Sequence, residues 1–136
     1  MSLFSKKAKP RVLIVDDEPI VLEMTTEFLK NGGFEAATAL STAQALERLG
    51  EKRVDAVLLD VHIPGESGLE AISKIRAAQP GVPIILFTGA GYQNDLMQEA
   101  LKAGANGFVS KGTEMENLGV AIRRALSPAM EGKKTS

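Results

Sequence analysis

Residues 12–18 read VLIVDDE, four apolar residues in a row followed at once by three acidic ones. The apolar run does not alternate with polar residues, so both faces of the strand that it predicts must be covered. Continuous apolar strands of this kind are typical of parallel sheets with helices packed on both sides. The stretch therefore predicts an α/β fold, with acidic side chains at the end of a buried strand.

Two more apolar runs of the same kind follow along the chain. Residues 56–59 read AVLL and residues 84–87 read IILF. Weaker strand patterns lie at residues 34–37 (FEAA) and 107–109 (GFV). Helical patterns occupy the intervals between these five segments. Five strands that alternate with five helices predict a single doubly wound parallel sheet with right-handed crossovers.

The predicted helices are marked by capping residues and by apolar side chains at helical spacing. Pro19 suits the first turn of a helix. Ile20, Met24 and Phe28 follow at intervals of four and are expected to share one face until two glycines end the helix. The remaining helices are predicted to begin near Ser41, Ser67, Asn94 and Thr113, with apolar faces formed by Ala45, Leu46 and Leu49, by Leu69, Ile72 and Ile75, by Leu96, Ala100 and Leu101, and by Leu118, Ile122 and Ala125.

One domain accounts for the length of the chain. Its 136 residues, of which 44% are hydrophobic, suffice for one buried core but not for two. Residues 1–9 (MSLFSKKAK) are basic and patternless, and we expect a flexible leader there. We predict a domain over residues 10–127 and a flexible polar tail over residues 128–136.

The composition excludes several classes of function. Sixteen basic and 17 acidic residues leave a net charge of −1, which does not favour nucleic-acid binding. The absence of cysteine excludes disulfides, thiolate nucleophiles and cysteine-ligated zinc. The single histidine, His62, excludes a multi-histidine metal site. No apolar run has the length of a membrane span or the pattern of a secretory signal, and we expect a cytoplasmic protein.

The residues that follow the apolar runs carry the chemistry. The first run ends in the acidic residues 16–18 and the second in Asp60. The third run ends in Thr88, and the last strand pattern ends in Ser110 and Lys111. Open parallel α/β sheets bind their ligands beyond the carboxyl ends of the strands. We therefore expect these side chains to form one site at one edge of the sheet.

A cluster of three carboxylates needs a cation. Asp16, Asp17 and Asp60 would raise one another's pKa values unless a positive ion neutralised them. Since oxygen ligands are the ones available, the favoured ion is Mg²⁺. Lys111 and the hydroxyl of Thr88 add hydrogen-bond donors for an anion beside the metal. This set describes phosphoryl transfer to an aspartate, and the central strand position makes Asp60 the expected nucleophile.

Each of these residues also has a purely structural interpretation. Asp16 and Asp17 could be turn residues that favour the positive end of the next helix dipole. Thr88 could bond only to backbone, and Lys111 could be an ordinary solvated lysine. On spacing alone, Phe108 belongs to the core. The functional interpretation depends on the convergence of several strand ends, not on any one residue.

The span from about Arg11 to Leu126 resembles the receiver domains of bacterial response regulators. The shared motifs are VLIVDDE at residues 12–18, LLDVHIP at 58–64 with Gly65 and Gly68-Leu69 after it, FTG at 87–89 and GANGFVSK at 104–111. Each motif alone is weak, but their order and their positions at strand ends are specific. The resemblance implies a flavodoxin-like fold with strand order 2-1-3-4-5.

The resemblance also implies a role for each residue of the acidic site. It implies that Asp60 accepts the phosphoryl group. It implies that Asp17 binds Mg²⁺ directly, that Asp16 binds it through water, and that the backbone carbonyl of His62 is a further ligand. Lys111 matches the residue that pairs with the phosphoryl group.

Two further residues match the switch of the family. Thr88 would hydrogen-bond to the phosphoryl group, and Phe108 would turn inward when Thr88 moves. The surface of the fourth helix, the last strand and the fifth helix would then change its preference for partners. Such a chain catalyses only its own phosphorylation and dephosphorylation, so we do not expect an enzyme.

The sequence departs from the family pattern in the loops around the site. Most receivers follow the phosphate-binding lysine with proline in a cis peptide bond, whereas Gly112 follows Lys111 here. A cis bond without proline costs about 3 kcal/mol, so the sequence does not fix the isomer of this bond. His62 and Ala90 occupy the positions two residues beyond the acceptor and the hydroxyl, where the family tunes the lifetime of phosphoaspartate.

The expected phosphodonor is a histidine kinase or a phosphotransfer protein of a two-component phosphorelay. We expect no nucleic-acid or membrane partner for this domain, and a phosphorylation-dependent dimer is compatible with the family. Two other functions stay open. One is a receiver-like interaction module that does not depend on phosphorylation, although the intact site argues against it. The other is an aspartyl phosphatase, in which an acid would stand two residues after Asp60, where this chain has His62.

Overall fold

The computed structural model describes residues 9–89, 94–111 and 115–126. Its strands are β1 (Arg11–Val15), β2 (Glu35–Ala39), β3 (Ala56–Leu59), β4 (Ile84–Thr88) and β5 (Gly107–Ser110). Its helices are α1 (Pro19–Asn31), α2 (Thr42–Glu51), α3 (Gly68–Ala78), α4 (Asn94–Lys102) and α5 (Met115–Ala125). The predicted alternation of strands and helices is confirmed. No helix within these ranges is long and apolar enough to span a membrane.

All five strands form one parallel sheet in the order β2-β1-β3-β4-β5, which confirms the order that the family resemblance implied. The inner strands β1 and β3 lie side by side, and Val15 pairs with Leu59 at their carboxyl ends. The next residues, Asp16 and Asp60, therefore emerge as neighbours. Because every strand runs in the same direction, all five carboxyl ends lie at one edge of the sheet.

Alternate residues of the inner strands point to opposite faces of the sheet and form two cores. Leu13 and Leu59 belong to the core covered by α2, α3 and α4. Ile14 and Leu58 belong to the core covered by α1 and α5. The apolar runs are continuous because both faces of the sheet are covered, as the sequence predicts.

Helix α4 begins at Asn94, and three more helices also begin at the residues that the sequence predicts. Pro19 is the first residue of α1. Ser41 caps α2, and its hydroxyl oxygen accepts a hydrogen bond at 3.2 Å from the N–H of Gln44. Ser67 caps α3 in the same way, at 3.2 Å from the N–H of Glu70. Local capping preferences therefore determine where these helices start.

Several predicted features lie outside the described residues. These are the cap at Thr113, the leader over residues 1–8, the tail from residue 128, Ala90, and the peptide bond between Lys111 and Gly112. The domain boundaries at residues 10 and 127 therefore stay predictions.

The apolar stripe predicted for α1 is only partly in the core, because Phe28 packs against the core but Ile20 and Met24 do not. Ile20 and Met24 are each 58% exposed, and the buried residues of the helix are Leu22, Thr25 and Leu29. An interval of four residues exceeds one helical turn by about 40°, so a stripe at that spacing drifts around the helix. The interval of seven between Leu22 and Leu29 falls within about 20° of two full turns and stays against the sheet.

Helix α4 shows a smaller difference of the same kind. Ala100 is buried as predicted, but Leu101 is 41% exposed and Met97 is in the core instead. Met97 and Ala100 are three residues apart and share a face, whereas Leu101 lies about 100° around the helix from Ala100. The side chain of Leu96 lies outside the described part of the chain.

A buried glutamine holds the chain at the entrance to β3. The side-chain amide of Gln79 donates to the carbonyl of Val54 at 2.6 Å, and its oxygen accepts from the N–H of Val54 at 3.1 Å. Gln79 is the C-cap residue of α3 and is itself buried. Its side chain satisfies both backbone polar groups of the buried Val54. The contact therefore fixes β3 relative to α3, and Asp60 lies on the chain between them.

Helix α3 begins in close contact with the chain that follows β3. A Cβ atom at Gly68 would lie 2.7 Å from the Cβ of Val61 and 3.0 Å from its backbone oxygen. Only a residue without a side chain allows this approach. A Cβ atom at Gly50, in α2, would meet no atom within 4 Å. The two helical glycines therefore differ in the room around them.

We predict that Gly68→Ala lowers the free energy of unfolding by about 1–3 kcal/mol, because the backbone must shift to admit a methyl group. Gly50→Ala is the matched control and should raise the free energy of unfolding by up to about 1 kcal/mol, since alanine favours the helix. Urea unfolding followed by circular dichroism measures both. A neutral effect of Gly68→Ala would show that α3 does not approach Val61 this closely.

Candidate functional site

Three aspartates meet at the carboxyl ends of β1 and β3. Asp16 and Asp17 follow β1, Asp60 follows β3, and one carboxylate oxygen from each lies within 4.8 Å of the others. The N–H of Asp60 donates to the carbonyl of Val15 at 3.0 Å, which continues the pairing of the two strands. The parallel pairing thus brings together the carboxylates that the sequence places at separate strand ends.

Two of the three carboxylates are buried. Asp16 is 1% exposed and Asp60 is 5% exposed, whereas Asp17 is partly open to solvent. Burial raises the pKa of Asp16, and the contacts with Lys111 and with the N–H of Glu18 offset this rise only in part. A carboxylate that is poorly hydrated in its charged form favours a cation beside it.

Lys111 supplies a positive charge to the cluster. Its Nζ lies 2.6 Å from Oδ2 of Asp16 and 3.1 Å from Oδ2 of Asp60. It also lies 3.2 Å from Oε1 of the exposed Glu18. Burial acts to lower the pKa of Lys111, but the hydrogen bonds and charges of the two buried aspartates outweigh burial and raise this pKa. The ammonium therefore stays charged and acts as a counter-ion for both carboxylates.

The pKa values of Asp16 and Lys111 both rise, for different reasons. Asp16 loses more from dehydration than it gains from one ammonium, whereas Lys111 gains from two carboxylates at once. Their contact at 2.6 Å is that of an ion pair. One ammonium thus faces three clustered aspartates. The site is short of positive charge.

A buried hydroxyl lies at the end of β4. Thr88 is fully buried, and its Oγ1 has no hydrogen-bond partner among the described residues. A buried hydroxyl without a partner costs roughly 1–3 kcal/mol, so it favours a ligand oxygen or a water nearby. The carbonyl of Thr88 accepts a hydrogen bond at 2.8 Å from the N–H of Lys111, which joins the two residues through their backbones.

The loop after β3 is hydrogen-bonded back to Asp60 at His62. The N–H of His62 donates to Oδ1 of Asp60 at 2.9 Å, while Lys111 contacts Oδ2 at 3.1 Å. The Asp60 carboxylate is therefore held through both of its oxygens. The imidazole of His62 is exposed, as the sequence predicts. The role of the His62 carbonyl as a metal ligand stays a prediction.

Phe108 lies on β5 and is 43% exposed, whereas its neighbour Val109 is buried. The interpretation from spacing alone, which assigned Phe108 to the core, is therefore wrong. Together with Val120 and Arg124, Phe108 lines a shallow groove between β5 and α5. Its role as a switch residue stays a prediction.

Two carboxylates near the site are absent from the predicted set of site residues. Glu18 contacts Lys111, and its place in the acidic run at residues 16–18 is a signal that points to it. Glu66 accepts hydrogen bonds from the backbone and the hydroxyl of Thr42, which lies 24 residues earlier in the chain. No local pattern predicts that contact, because it depends on how α2 lies against the loop before α3.

The donor set fits a hard divalent cation. It consists of carboxylate oxygens, two of them on buried residues and one on a residue open to solvent. Mg²⁺ typically binds through one or two carboxylates and keeps several waters, and the partly exposed Asp17 leaves room for them. The cluster can therefore hold such an ion, with Lys111 and Thr88 at the same edge of the sheet to contact an anion.

Sequence comparison with known proteins agrees with this geometry. The family model for the response regulator receiver domain matches residues 12–123. The probable transcriptional regulatory protein TcrX of Mycobacterium tuberculosis is 35% identical over 115 residues, which make up 85% of this chain and 49% of TcrX. A protein-glutamate methylesterase/protein-glutamine glutaminase of Caulobacter vibrioides is 41% identical over 105 residues, or 74% of this chain and 30% of that protein. The chain spans about half the length of the transcriptional regulators that it matches.

Solved structures share the fold. Chemotaxis protein CheY4 of Vibrio cholerae has a TM-score of 0.81 at 28% identity, and the match covers 88% of this chain and 100% of CheY4. A CheY-like receiver domain protein of Methanospirillum hungatei has a TM-score of 0.83 at 26% identity, covering 91% of this chain and 98% of that protein. The fold, the acidic cluster with its lysine, and the family match point the same way. The chain belongs to the receiver-domain family of two-component response regulators.

Proposed function

We propose that this chain is a phosphorylation switch, in which Asp60 accepts a phosphoryl group from the phosphohistidine of a histidine kinase or a phosphotransfer protein. The observation that carries the proposal is the environment of Asp60, a buried carboxylate clustered with Asp16 and Asp17 and 3.1 Å from the Lys111 ammonium. A carboxylate and an anionic phosphoryl group repel each other. A cation held by the cluster, together with the ammonium, would offset that repulsion.

The transfer joins a carboxylate oxygen of Asp60 to phosphorus while the bond from phosphorus to the donor's imidazole nitrogen breaks. The electron pair of that bond stays on the imidazole, which leaves neutral when its other nitrogen carries a proton. The hydrogen bonds from His62 and Lys111 orient the Asp60 carboxylate before the donor arrives. Such orientation removes part of the entropic barrier to the reaction. The chain thus catalyses its own phosphorylation without being an enzyme for another substrate.

The metal requirement follows from the shortage of positive charge. Asp17, Asp60 and the backbone carbonyl of His62 would hold Mg²⁺ directly, and Asp16 would hold it through water. When bound, the ion supplies positive charge to the oxygens of the transferred phosphoryl group. The assignment is supported by the all-oxygen donor set of the cluster.

Lys111 and Thr88 would stabilise the phosphorylated state. The ammonium of Lys111 already contacts Asp60, and it would exchange its contact with Asp16 for one with a phosphoryl oxygen. The hydroxyl of Thr88 would donate to another phosphoryl oxygen and so gain a partner. Both contacts exist only in the phosphorylated state, so they shift the population toward the conformation that makes them.

The movement of Thr88 would be passed to β5 and to the helices beside it. Phe108, exposed on β5, would turn inward into the space that Thr88 leaves. The surface formed by α4, β5 and α5 would then bind a downstream protein or a second copy of the chain.

The other functions that the sequence left open have less support. A module that does not depend on phosphorylation would have no need for buried carboxylates that are short of a counter-charge. An aspartyl phosphatase would need an acid two residues after Asp60, where the chain has an exposed histidine, His62. The phosphoacceptor function uses every member of the cluster.

We predict that acetyl phosphate and Mg²⁺ add one phosphoryl group to the wild-type chain, as seen by intact-mass spectrometry. Asp60→Asn removes the nucleophile with little change of shape and should give no adduct, and chelation of the metal should also abolish the adduct. Asp55→Asn is the matched control. Asp55 precedes β3 and Asp60 follows it, so the same substitution is made at the opposite end of the same strand. Adduct formation on Asp60→Asn at the wild-type rate would contradict the assignment.

We predict that Mg²⁺ raises the melting temperature of the wild-type chain, because it binds the folded acidic cluster and not the unfolded chain. At about 100 times its Kd the gain is about 2.7 kcal/mol, or on the order of 10 °C for a domain of this size. Asp17→Asn should lose most of the gain, and Asp55→Asn should keep it. Thermal unfolding at matched ionic strength measures the difference. Equal gains in all three chains would show that Mg²⁺ binds elsewhere.

A further inference from the structure

The loop from Asp60 to α3, residues 60–67, is tied to α2 through one carboxylate. Oε1 of Glu66 accepts a hydrogen bond at 3.0 Å from the N–H of Thr42 and a second, short one from the Thr42 hydroxyl. Thr42 is the first residue of α2 and is buried. The contact therefore joins this phosphoacceptor loop to the N-terminus of a neighbouring helix.

The N-terminus of α2 suits a carboxylate. The first N–H groups of a helix have no partner inside the helix, and the helix dipole adds partial positive charge there. Ser41 accepts from the N–H of Gln44, and Glu66 accepts from the N–H of Thr42. A charged acceptor forms a stronger hydrogen bond than a neutral one. Glu66 is therefore held firmly by a helix that is itself packed on the core.

The rest of the phosphoacceptor loop is short and fixed by its own hydrogen bonds. The N–H of His62 donates to Oδ1 of Asp60 at 2.9 Å, and the N–H of Glu66 donates to the carbonyl of Ile63 at 3.1 Å. Gly65 has a φ of +79°, a left-handed value that this turn requires. A displacement of Glu66 would therefore be passed through a stiff turn to His62 and to the carbonyl expected to bind the metal.

The space between the loop and α2 is closed to water on the side that faces Asp60 and open to solvent on the side that faces α3. Thr42, Asp60 and Glu66 line one narrow gap that is too small for a water molecule. Thr42 and Glu66 also line an open groove of about 340 Å³ between α2 and α3, and solvent reaches Glu66 from that side. On the side that faces Asp60, the side chain of Glu66 bridges the loop and the helix directly, with no room for a water between them.

We infer that Glu66 is a positioning residue for the metal and phosphoryl site. Its carboxylate, anchored on α2, holds the phosphoacceptor loop so that the His62 carbonyl and the Asp60 carboxylate face the cation together. Glu66 acts through the loop and does not itself contact the metal or the phosphoryl group. The inference rests on the proposed function, because it gives Glu66 a part in the binding of Mg²⁺ at Asp60.

A purely structural cap would behave differently. If Glu66 only stabilised α2, its loss would lower the free energy of unfolding but leave the Mg²⁺ affinity of the folded protein unchanged. A positioning residue changes that affinity even where the protein is fully folded. Loss of an outer contact that orients a metal ligand typically weakens metal affinity by about 10–100-fold.

The test is isothermal titration with Mg²⁺ alone, on chains that are fully folded at the temperature used. Glu66→Ala should raise the Kd for Mg²⁺ by about 10-fold or more. Glu66→Gln, whose amide oxygen can accept the same two hydrogen bonds, should stay within about threefold of the wild type. Glu70→Ala is the matched control for the loss of one charge, since Glu70 is exposed and lines the same groove between α2 and α3.

Hydrogen exchange of the metal-free protein gives a second readout that does not involve the metal. In Glu66→Ala, the amides of residues 61–63 and 65–67 should exchange faster, while those of β3 and of the middle of α2 should keep their wild-type protection. Thr42→Val removes the hydroxyl bond but keeps the N–H bond and the shape of the residue. Thr42→Val should raise the Kd for Mg²⁺ and speed the exchange of the loop amides, each by less than Glu66→Ala does. If Glu66→Ala does not fold, these two results for Thr42→Val test the role of Glu66.

The outcomes separate the two proposals. A wild-type Kd for Mg²⁺ in folded Glu66→Ala would overturn the role of Glu66 and leave the proposed function intact. An equal rise in Kd for Glu70→Ala would point to a general loss of negative charge and would also overturn it. If the wild-type chain bound no Mg²⁺ and took no phosphoryl group, the proposed function would fail, and the role of Glu66 would fail with it.

Discussion

The burial of two carboxylates beside one ammonium is the interaction on which the rest of the site depends. Asp16 and Asp60 end neighbouring inner strands, and Lys111 reaches both of them from the end of β5, which lies two strands away from β3. This contact is possible only because the parallel strands end at one level of the sheet. The ammonium offsets part of the desolvation cost of the two buried carboxylates. It does not neutralise the cluster, because Asp17 belongs to the cluster as well.

The site is therefore compatible with a stable fold, but its negative charges are not fully neutralised. A sheet edge built for stability alone would carry apolar or fully paired side chains at these buried positions. Instead, Asp16 keeps a raised pKa and Thr88 keeps a buried hydroxyl that has no partner among the described residues. A cation at the carboxylates would stabilise the charged form of Asp16. An anion beside the hydroxyl would give Thr88 a hydrogen-bond acceptor. Bound ions would thus satisfy both groups at once, and this distinguishes a binding site from a strained part of the core.

The sequence predicts the site better than it predicts the packing around it, and the reason is physical. Asp60, Thr88 and Lys111 each follow a strand pattern, so their meeting at one edge depends on strand direction and not on exact strand ends. The predicted stripe of α1 failed at Ile20 and Met24 but not at Phe28, because residues spaced by four drift around the helix by about 40° at each step. The contacts of Gln79 and Glu66 join residues 24 or 25 positions apart, so only the packed structure determines them.

The site has one fixed side and one side that is free to respond. On the α2 side, the loop after Asp60 is held by Glu66, whose carboxylate is bound to a helix N-terminus. On the β4 side, the side chain of Thr88 makes no hydrogen bond within the described residues, and Lys111 divides its contacts among three carboxylates. A new dianion at Asp60 would therefore first move the Thr88 side chain, because moving it breaks no hydrogen bond of that side chain within the described residues. In the proposed switch, the fixed loop would direct the response toward β5, on which Phe108 lies exposed.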